Sequence, residues 1–292
     1  MPDTLNPAAR SLVARCLLDP GYLERFARAP QEELAALEVG AEARTALAGL
    51  DAERVRLFAG FVAKVQHNDL WDDFPLTRAL LRYYGAELTT FADYRPHQLE
   101  LARAGKPSRA ARTAAFLDFL TGRLRDPARP RHPGLLAVLT HERLHQEVTR
   151  SIADGRVPAP GRPAPGPVRA GGRDPRVVVA RDVLRVAALD HDPRDVAARL
   201  RDGGRELPGL APDAVCLCYW GRVDPGTVSV LTVDPPVASV LAAVDGRRSV
   251  HEVLDGARAT LPEAGRRELA RVLDTAVERG LVQLTDNSAA LG

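Results

Sequence analysis

Apolar residues in the first half of the chain recur every three or four positions, which is the spacing of one face of an α-helix. The clearest case follows Asp51, a residue suited to capping a helix, which precedes five apolar residues at helical intervals. These are Val55, Phe58, Phe61, Val62 and Val65. Similar stretches recur as far as residue 152, often with proline or glycine at their ends. The pattern predicts an all-helical N-terminal domain.

After residue 176 the spacing of apolar residues changes to an alternation typical of strands. Residues 177–189 are predicted to form a strand. Residues 215–222 and 227–233 flank an Asp-Pro-Gly turn, and this arrangement predicts a β-hairpin. The remaining predicted elements are helices at 192–200, 237–244, 249–259 and 262–279 and a last strand at 282–285.

A stretch rich in proline and glycine separates the two patterns. It reads RVPAPGRPAPGPVRAGGRDP and has no apolar periodicity, so it predicts a semi-extended linker. The expected fold class is α+β, with an N-terminal all-α domain and a smaller C-terminal α+β domain of winged-helix-like element order. The expected division is an added N-terminal helical segment at 1–55, a helical partner-docking domain at 56–153, the linker at 154–176 and the α+β domain at 177–288.

Composition and charge narrow the possible partners. The 40 basic and 38 acidic residues give a formal net charge of +2, which argues against an electrostatic nucleic-acid coat. No apolar run approaches the roughly 20 residues of a membrane span, and the first residues do not have the pattern of a signal peptide. The expectation is a cytoplasmic protein with no membrane partner.

One short motif carries recognisable metal chemistry. His141, Glu142 and His145 form an H-E-x-x-H pattern on a predicted helix, so both histidines share a face and could bind one zinc ion, with the glutamate activating a water. The extended form of the motif is absent, and the linker begins soon after. The alternative is a solvated helix face in which Glu142 pairs with a nearby arginine.

Two other groups of residues are candidates for chemistry. Cys216 and Cys218 lie two apart and would share one face of a strand, either as metal ligands or as small buried side chains. Asp72 and Asp73 could act as paired carboxylates or belong to an acid-rich helix start. No Gly-x-Gly-x-x-Gly, Walker or Gly-x-Ser-x-Gly motif occurs.

Two regions of the chain resemble a known protein family. Between residues 61 and 148 the segments are FVAKVQHNDLWDDFPLTRALLRYYG, FADYRPHQLELA, AAFLDFLTGRL and HPGLLAVLTHERLHQEV. Between residues 224 and 285 they are TVSVLTVDP, VASVLAAVDGRRSVHEVLDGA and LARVLDTAVERGLVQL. The first set is similar to a helical module that carries the label of a DNA-binding domain. Proteins with that module are partners of multinuclear non-heme iron-dependent oxidative enzymes, and the second set is similar to their C-terminal winged-helix-like peptide-binding module.

The resemblance implies a non-catalytic adaptor. Such a protein docks an iron-dependent oxidative enzyme and presents a ribosomal precursor peptide to it. The iron would belong to the partner enzyme, and the chain would need no cofactor of its own. In this comparison Glu142 matches the family's glutamate, so that its flanking histidines would be incidental.

The hairpin suggests where a peptide would bind. Its edge can accept an extended peptide by strand addition. Tyr219 and Trp220 would be amphipathic anchors, Arg222 would face an acidic peptide, and Val230 would complete the surface. The alternative for the two aromatic residues is core packing.

Two other functions remain open. One is a DNA-binding transcriptional regulator whose recognition helix is the predicted 262–279 helix, with Arg266, Arg267 and Arg271 facing DNA. Acidic residues interrupt that face. The other is a zinc metallopeptidase that uses the motif at 141–145.

Overall fold

The computed structural model describes residues 5–37, 40–156, 163–171, 173–204, 207–222 and 224–286. The fold class is α+β, with 13 α-helices and five strands in these residues. The chain divides into two compact units, Met1–His132 and Pro133–Gly292. No helix in the described ranges is long and apolar enough to cross a membrane.

The first unit consists of helices. Its elements are α1 (Leu5–Leu18), α2 (Pro20–Arg28), α3 (Pro30–Ala35), α4 (Ala41–Ala48), α5 (Ala52–Gln66), a 3₁₀ helix (Asn68–Asp72), α6 (Pro75–Tyr83), α7 (Glu87–Arg103) and α8 (Arg109–Arg125). Asp51 caps α5 as predicted, because its side chain accepts hydrogen bonds from the backbone amides of Glu53 and Arg54. Proline occupies the start of α2, α3 and α6, where a missing N–H costs no helical hydrogen bond.

The N-terminal helices share a core with α5. Leu12, Phe26 and Leu34 are buried together with Val55, so the expected boundary at residue 55 does not coincide with a break in packing. The expected added segment at 1–55 is therefore part of the helical unit.

Farther along the chain, four aromatic side chains form a cluster with ring centroids 5.1–5.6 Å apart. They are Trp71, Phe91, Tyr94 and Phe116.

The second unit contains every strand that the structure describes. Its elements are α9 (Leu135–Ala153), β1 (Val177–Ala180), β2 (Val183–Leu189), α10 (Pro193–Arg201), a 3₁₀ helix (Leu207–Gly209), β3 (Val215–Arg222), β4 (Thr227–Val233), α11 (Pro235–Ala242), α12 (Val250–Thr260), α13 (Arg266–Glu278) and β5 (Val282–Thr285). A full capping box between Ser249 and Glu252 starts α12.

The strands form two antiparallel sheets. One has the order β2-β3-β4, and in the other β1 pairs with β5. The predicted hairpin is confirmed, since β3 and β4 pair from Arg222 opposite Thr227 to Cys216 opposite Val233. The stretch predicted as one strand, 177–189, is two strands that belong to different sheets, with Arg181 and Asp182 at the bend between them.

Helices cover both faces of the three-stranded sheet. Leu217 and Tyr219 lie on the face that packs against Leu144 and Val148 of α9. Cys218 points to the other face, into a core formed by α11, α12 and α13. Because strand side chains alternate between faces, residues 217 and 218 belong to different cores.

The observed division differs from the expected one at two points. Helix α9 was placed with the N-terminal helices, but it packs on β2, β3 and β4 and belongs to the second unit. Much of the expected linker is also part of that unit. The Ala164 amide donates to the Leu284 carbonyl at 2.7 Å, and the side chain of Val168 is buried in the α11–α13 core. Residues 157–162 and 172 of the expected linker lie outside the described ranges.

Candidate functional site

In the part of the chain that the structure describes, β4 is an edge strand whose outer side is unpaired. The sheet order ends at β4, and no described strand lies on its far side. An edge of this kind presents a row of backbone N–H and C=O groups that can pair with another extended chain. The described part of β4 contains no proline or charged residue, the features that commonly block such pairing.

A groove runs beside this edge. It lies between the end of β4, the start of α11 and α13, and has a volume of about 610 Å³. Its apolar lining comes from β4, α11, α13 and the residue before β5. These residues are Leu231, Val233, Val237, Val272, Ala276 and Leu281. Leu231 is 40% exposed, a high value for a leucine on a strand.

Helix α13 supplies the charged side of the groove. Glu268, Arg271, Thr275 and Arg279 line it, and their spacing of three or four residues places them on one side of the helix. Both arginines are exposed. The groove therefore combines an apolar floor, mixed charges and an unpaired strand edge, which together suit an extended amphipathic peptide.

Tyr219 is not a surface anchor, contrary to the prediction. It is fully buried beneath α9, and its hydroxyl lies 3.0 Å from Nδ1 of His141. Burial raises the pKa of the Tyr219 hydroxyl above its ordinary value, and the nearby Asp192 adds to this shift. Val230 is opposite Tyr219 in the register and packs in the same core, so neither side chain reaches the groove.

Trp220 and Arg222 lie away from the groove. Trp220 lies on the central strand, β3, opposite Ser229 of β4. Its indole N–H donates a hydrogen bond to Asp182 at 2.9 Å. The guanidinium of Arg222 lies over the indole ring, 5.2 Å from its centroid. Arg222 is exposed, but it faces the turn end of the hairpin, whereas the groove lies at the opposite end of β4.

The two histidines of the H-E-x-x-H motif lie on one side of α9, with ring centroids 6.4 Å apart. Burial lowers the pKa of His141, and neighbouring His145 lowers it further. Glu142 is a buried residue of the same helix. Within the described ranges, no group of three or more His, Cys, Asp or Glu side chains has the geometry to hold a metal ion.

The cysteine pair and the aspartate pair each combine a more buried residue with a more exposed one. Cys218 is buried, and burial raises the pKa of its thiol to about 11. Cys216 is half-buried on the same face of β3, where burial raises its thiol pKa as well. Asp72 is exposed, whereas Asp73 forms an ion pair with Arg109 at 3.2 Å.

The helix expected to read DNA is α13, and it starts at Arg266 rather than at residue 262. Arg266 is directed back into the protein, where it bonds to Asp255 and donates to the Ala170 carbonyl at 3.1 Å. Arg267 and Arg271 are exposed. Of the three arginines proposed for DNA contact, Arg271 lines the groove and Arg266 is held within the protein.

A scan against protein-family models found no match to this chain, and a search of the curated proteins found none either. Apart from Arg271, the α13 residues that line the groove were not predicted as site residues, although the helical repeat of Val272 and Ala276 is present in the sequence. The repeat indicates an apolar face, but it does not indicate that part of that face borders an open strand edge.

Proposed function

We propose that this chain is a non-catalytic adaptor that binds a ribosomal precursor peptide along β4 and presents it to an iron-dependent oxidative enzyme in the cytoplasm. The peptide adds to the sheet as a fourth strand beside β4. The helical unit docks the enzyme, and the iron belongs to that enzyme. The adaptor itself needs no cofactor.

The observation that carries the peptide-binding part is the unpaired edge of β4 beside the α13 groove. Strand addition obtains its affinity from backbone hydrogen bonds and its selectivity from the pockets that receive alternate side chains. Here Leu231 and Val272 offer an apolar surface to such side chains. Arg271 and Arg279 lie where acidic side chains of the peptide would be neutralised.

The enzyme-docking part rests on the resemblance of residues 61–148 to the partner proteins. Among the residues that the structure describes, seven large apolar side chains are notably exposed, and six of them lie in the first unit. They are Leu18, Phe58, Phe61, Val65, Tyr83 and Leu88. Contiguous exposed apolar surface commonly marks a protein contact, and Phe58 and Phe61 stack with ring centroids 6.5 Å apart.

The peptide-binding part is tested with labelled synthetic peptides that tile the products of the neighbouring open reading frames. We expect at least one to bind the full-length chain with a Kd of roughly 1–10 μM by fluorescence anisotropy. Leu231→Glu, which places a charge in the apolar groove, should weaken that binding at least about tenfold, a change of ~1.4 kcal/mol.

Leu18→Glu is the matched control, because Leu18 is an exposed leucine at the end of α1 and belongs neither to β4 nor to the lining of the groove. It should leave binding unchanged. If no peptide binds, or if both variants weaken binding equally, peptide capture at the groove is wrong.

The enzyme-docking part needs a separate test. The chain is co-expressed with the same reading frames, purified by an affinity tag, and the complex is analysed for metal. A stable complex that contains an iron enzyme is expected. A Phe61→Glu variant should lose the enzyme while still binding the peptide, whereas recovery of the chain alone in every co-expression would contradict the docking.

A further inference from the structure

A second cleft lies in the first unit, far in sequence from the groove. It is bordered by α2, α5 and α7 and has a volume of about 520 Å³. Apolar side chains form part of its lining, including Leu23, Ala27, Ala59 and Phe119. Arg56, Arg95 and Arg129 also line it, so the cleft combines apolar surface with several guanidinium groups.

Asp93 is the hub of an ion network at this cleft. It accepts hydrogen bonds from Arg56 at 2.7 Å, from Arg129 at 3.0 Å and from Arg123. Glu53 accepts two hydrogen bonds of 2.8 Å from Arg56, and Asp126 forms an ion pair of 3.9 Å with Arg129. Three guanidinium groups therefore share three carboxylates.

Arg95 adds a fourth guanidinium without adding a carboxylate. It is 6% exposed, and its partners are backbone carbonyls of Ala59, at 3.5 Å, and Leu17. Its Nε atom is buried and has no hydrogen-bond partner. Burial lowers the pKa of this guanidinium, and no neighbouring acid opposes the shift. A buried cation without a counter-ion is costly, so the cleft favours an anion.

Four guanidinium groups therefore face three carboxylates, a surplus of one positive charge that corresponds to the buried Arg95. Glu24 also lines the cleft, but it is largely exposed and forms an ion pair with Arg28 at 3.9 Å.

We propose that this cleft binds a small molecule with an oxyanion group, a carboxylate or a phosphate, on an apolar or aromatic body. The oxyanion is held by Arg129 and the arginines beside it, since guanidinium groups match the geometry of carboxylate and phosphate. The body of the ligand lies against Leu23 and Phe119. This site is separate from the proposed peptide groove and does not depend on it.

The test uses benzoate and phenyl phosphate as probes, with uncharged benzyl alcohol as the comparison, on the full-length chain. Binding is measured by isothermal titration calorimetry at constant ionic strength, because added salt screens such contacts. We expect saturable binding of at least one anionic probe with a Kd of roughly 0.1–1 mM. Benzyl alcohol should bind at least about tenfold more weakly, because it lacks the charge.

The variant is Arg129→Gln, which removes a half-exposed cleft cation and leaves Asp93 with Arg56 and Arg123. It should weaken binding of the anionic probe about tenfold. Arg131→Gln is the matched control, since Arg131 is exposed two residues away and does not line the cleft. Unchanged thermal unfolding of both variants establishes that they are folded.

Three results would overturn the proposal. The first is no saturable binding of either anionic probe. The second is an equal loss of affinity in Arg129→Gln and Arg131→Gln, which would indicate general attraction to a basic surface. The third is benzyl alcohol binding as tightly as benzoate, since the guanidinium groups would then contribute nothing.

Discussion

At the residue scale, His67 is a polar group in an unusual position. It is 3% exposed, and neither ring nitrogen has a hydrogen-bond partner. Its ring meets the Tyr94 ring at a centroid distance of 5.8 Å. Burial lowers its pKa and Arg112 lowers it further, while Asp69 acts in the opposite direction. The folded protein therefore holds His67 in the neutral form.

This depressed pKa makes stability depend on pH. In the unfolded chain His67 takes up a proton near its ordinary pKa of about 6.5, whereas in the folded chain it does so only at lower pH. The contribution of neutral His67 to the free energy of unfolding is fully present above about pH 6.5 and is lost as the pH falls towards the pKa of the folded state. We expect the urea midpoint to fall between about pH 7 and pH 5, and less steeply in His67→Phe.

His97→Gln is the control for that measurement, because His97 is an exposed histidine next to the same tyrosine ring. The urea midpoint of this variant should change with pH as steeply as that of the unchanged chain. Some dependence should persist in His67→Phe, since burial also lowers the pKa of His132 and of His141. Equal slopes for His67→Phe and the unchanged chain would show that His67 does not titrate as proposed.

The sequence predicted individual site residues less well than it predicted elements. The prediction made Tyr219 and Trp220 anchors of one peptide, although alternation along β3 places these neighbouring side chains on opposite faces. The alternation also does not reveal that α9 covers the face of Tyr219. An aromatic residue on a hairpin has the same local signal whether the face is open to a peptide or covered by a helix.

At the element scale, local patterns predicted most of the helices and the hairpin. The β3–β4 pairing follows from a short turn between two strand-like stretches, so the information is contained in about twenty residues. The pairing of β1 with β5 joins Val177 to Thr285, and nothing in either short segment specifies the other. Non-local strand pairs of this kind are the part of the fold that single-sequence patterns cannot supply.

The contact between α9 and β3 depends on one glycine. A Cβ atom at Gly221 would lie 2.3 Å from Cγ1 of Val148 and 2.8 Å from Cδ1 of Ile152. We expect Gly221→Ala to lower the free energy of unfolding by about 1–3 kcal/mol, because the helix must move away or its side chains must leave their preferred rotamers. Urea unfolding monitored by circular dichroism measures the change.

Gly209→Ala is the matched control, because an added Cβ at Gly209 meets nothing within 4 Å. That variant should stay within about 0.5 kcal/mol of the unchanged chain. A Gly221→Ala variant as stable as Gly209→Ala would mean that α9 is not held as closely to β3 as the distances indicate.

At the scale of the whole molecule, the boundary of the second unit is the feature that sequence patterns misplaced. Helix α9 has the same apolar spacing as the helices before it, and the proline-rich stretch follows rather than precedes it. Amphipathic spacing shows that a helix has a buried face, but it does not identify the element that covers that face. A boundary drawn at the proline-rich stretch therefore assigned α9 to the first unit instead of the second.

Fragments of the chain test the boundary directly. A fragment of residues 133–292 keeps α9 over Leu217 and Tyr219, and we expect it to unfold in one cooperative transition in urea. A fragment of residues 154–292 exposes that apolar face, so it should unfold without a cooperative transition or aggregate. Equal cooperativity and equal midpoints for the two fragments would contradict the assignment of α9 to the second unit.

The open edge of β4 also bears on how the chain behaves at high concentration. Backbone hydrogen bonds do not depend on the sequence, so an edge that can accept a peptide can also accept β4 of another molecule. Two copies joined edge to edge would hide the groove from its ligand, and self-association would then compete with recognition. If the proposed peptide binds there, it would also cap the edge and keep one molecule of the protein from pairing with the next.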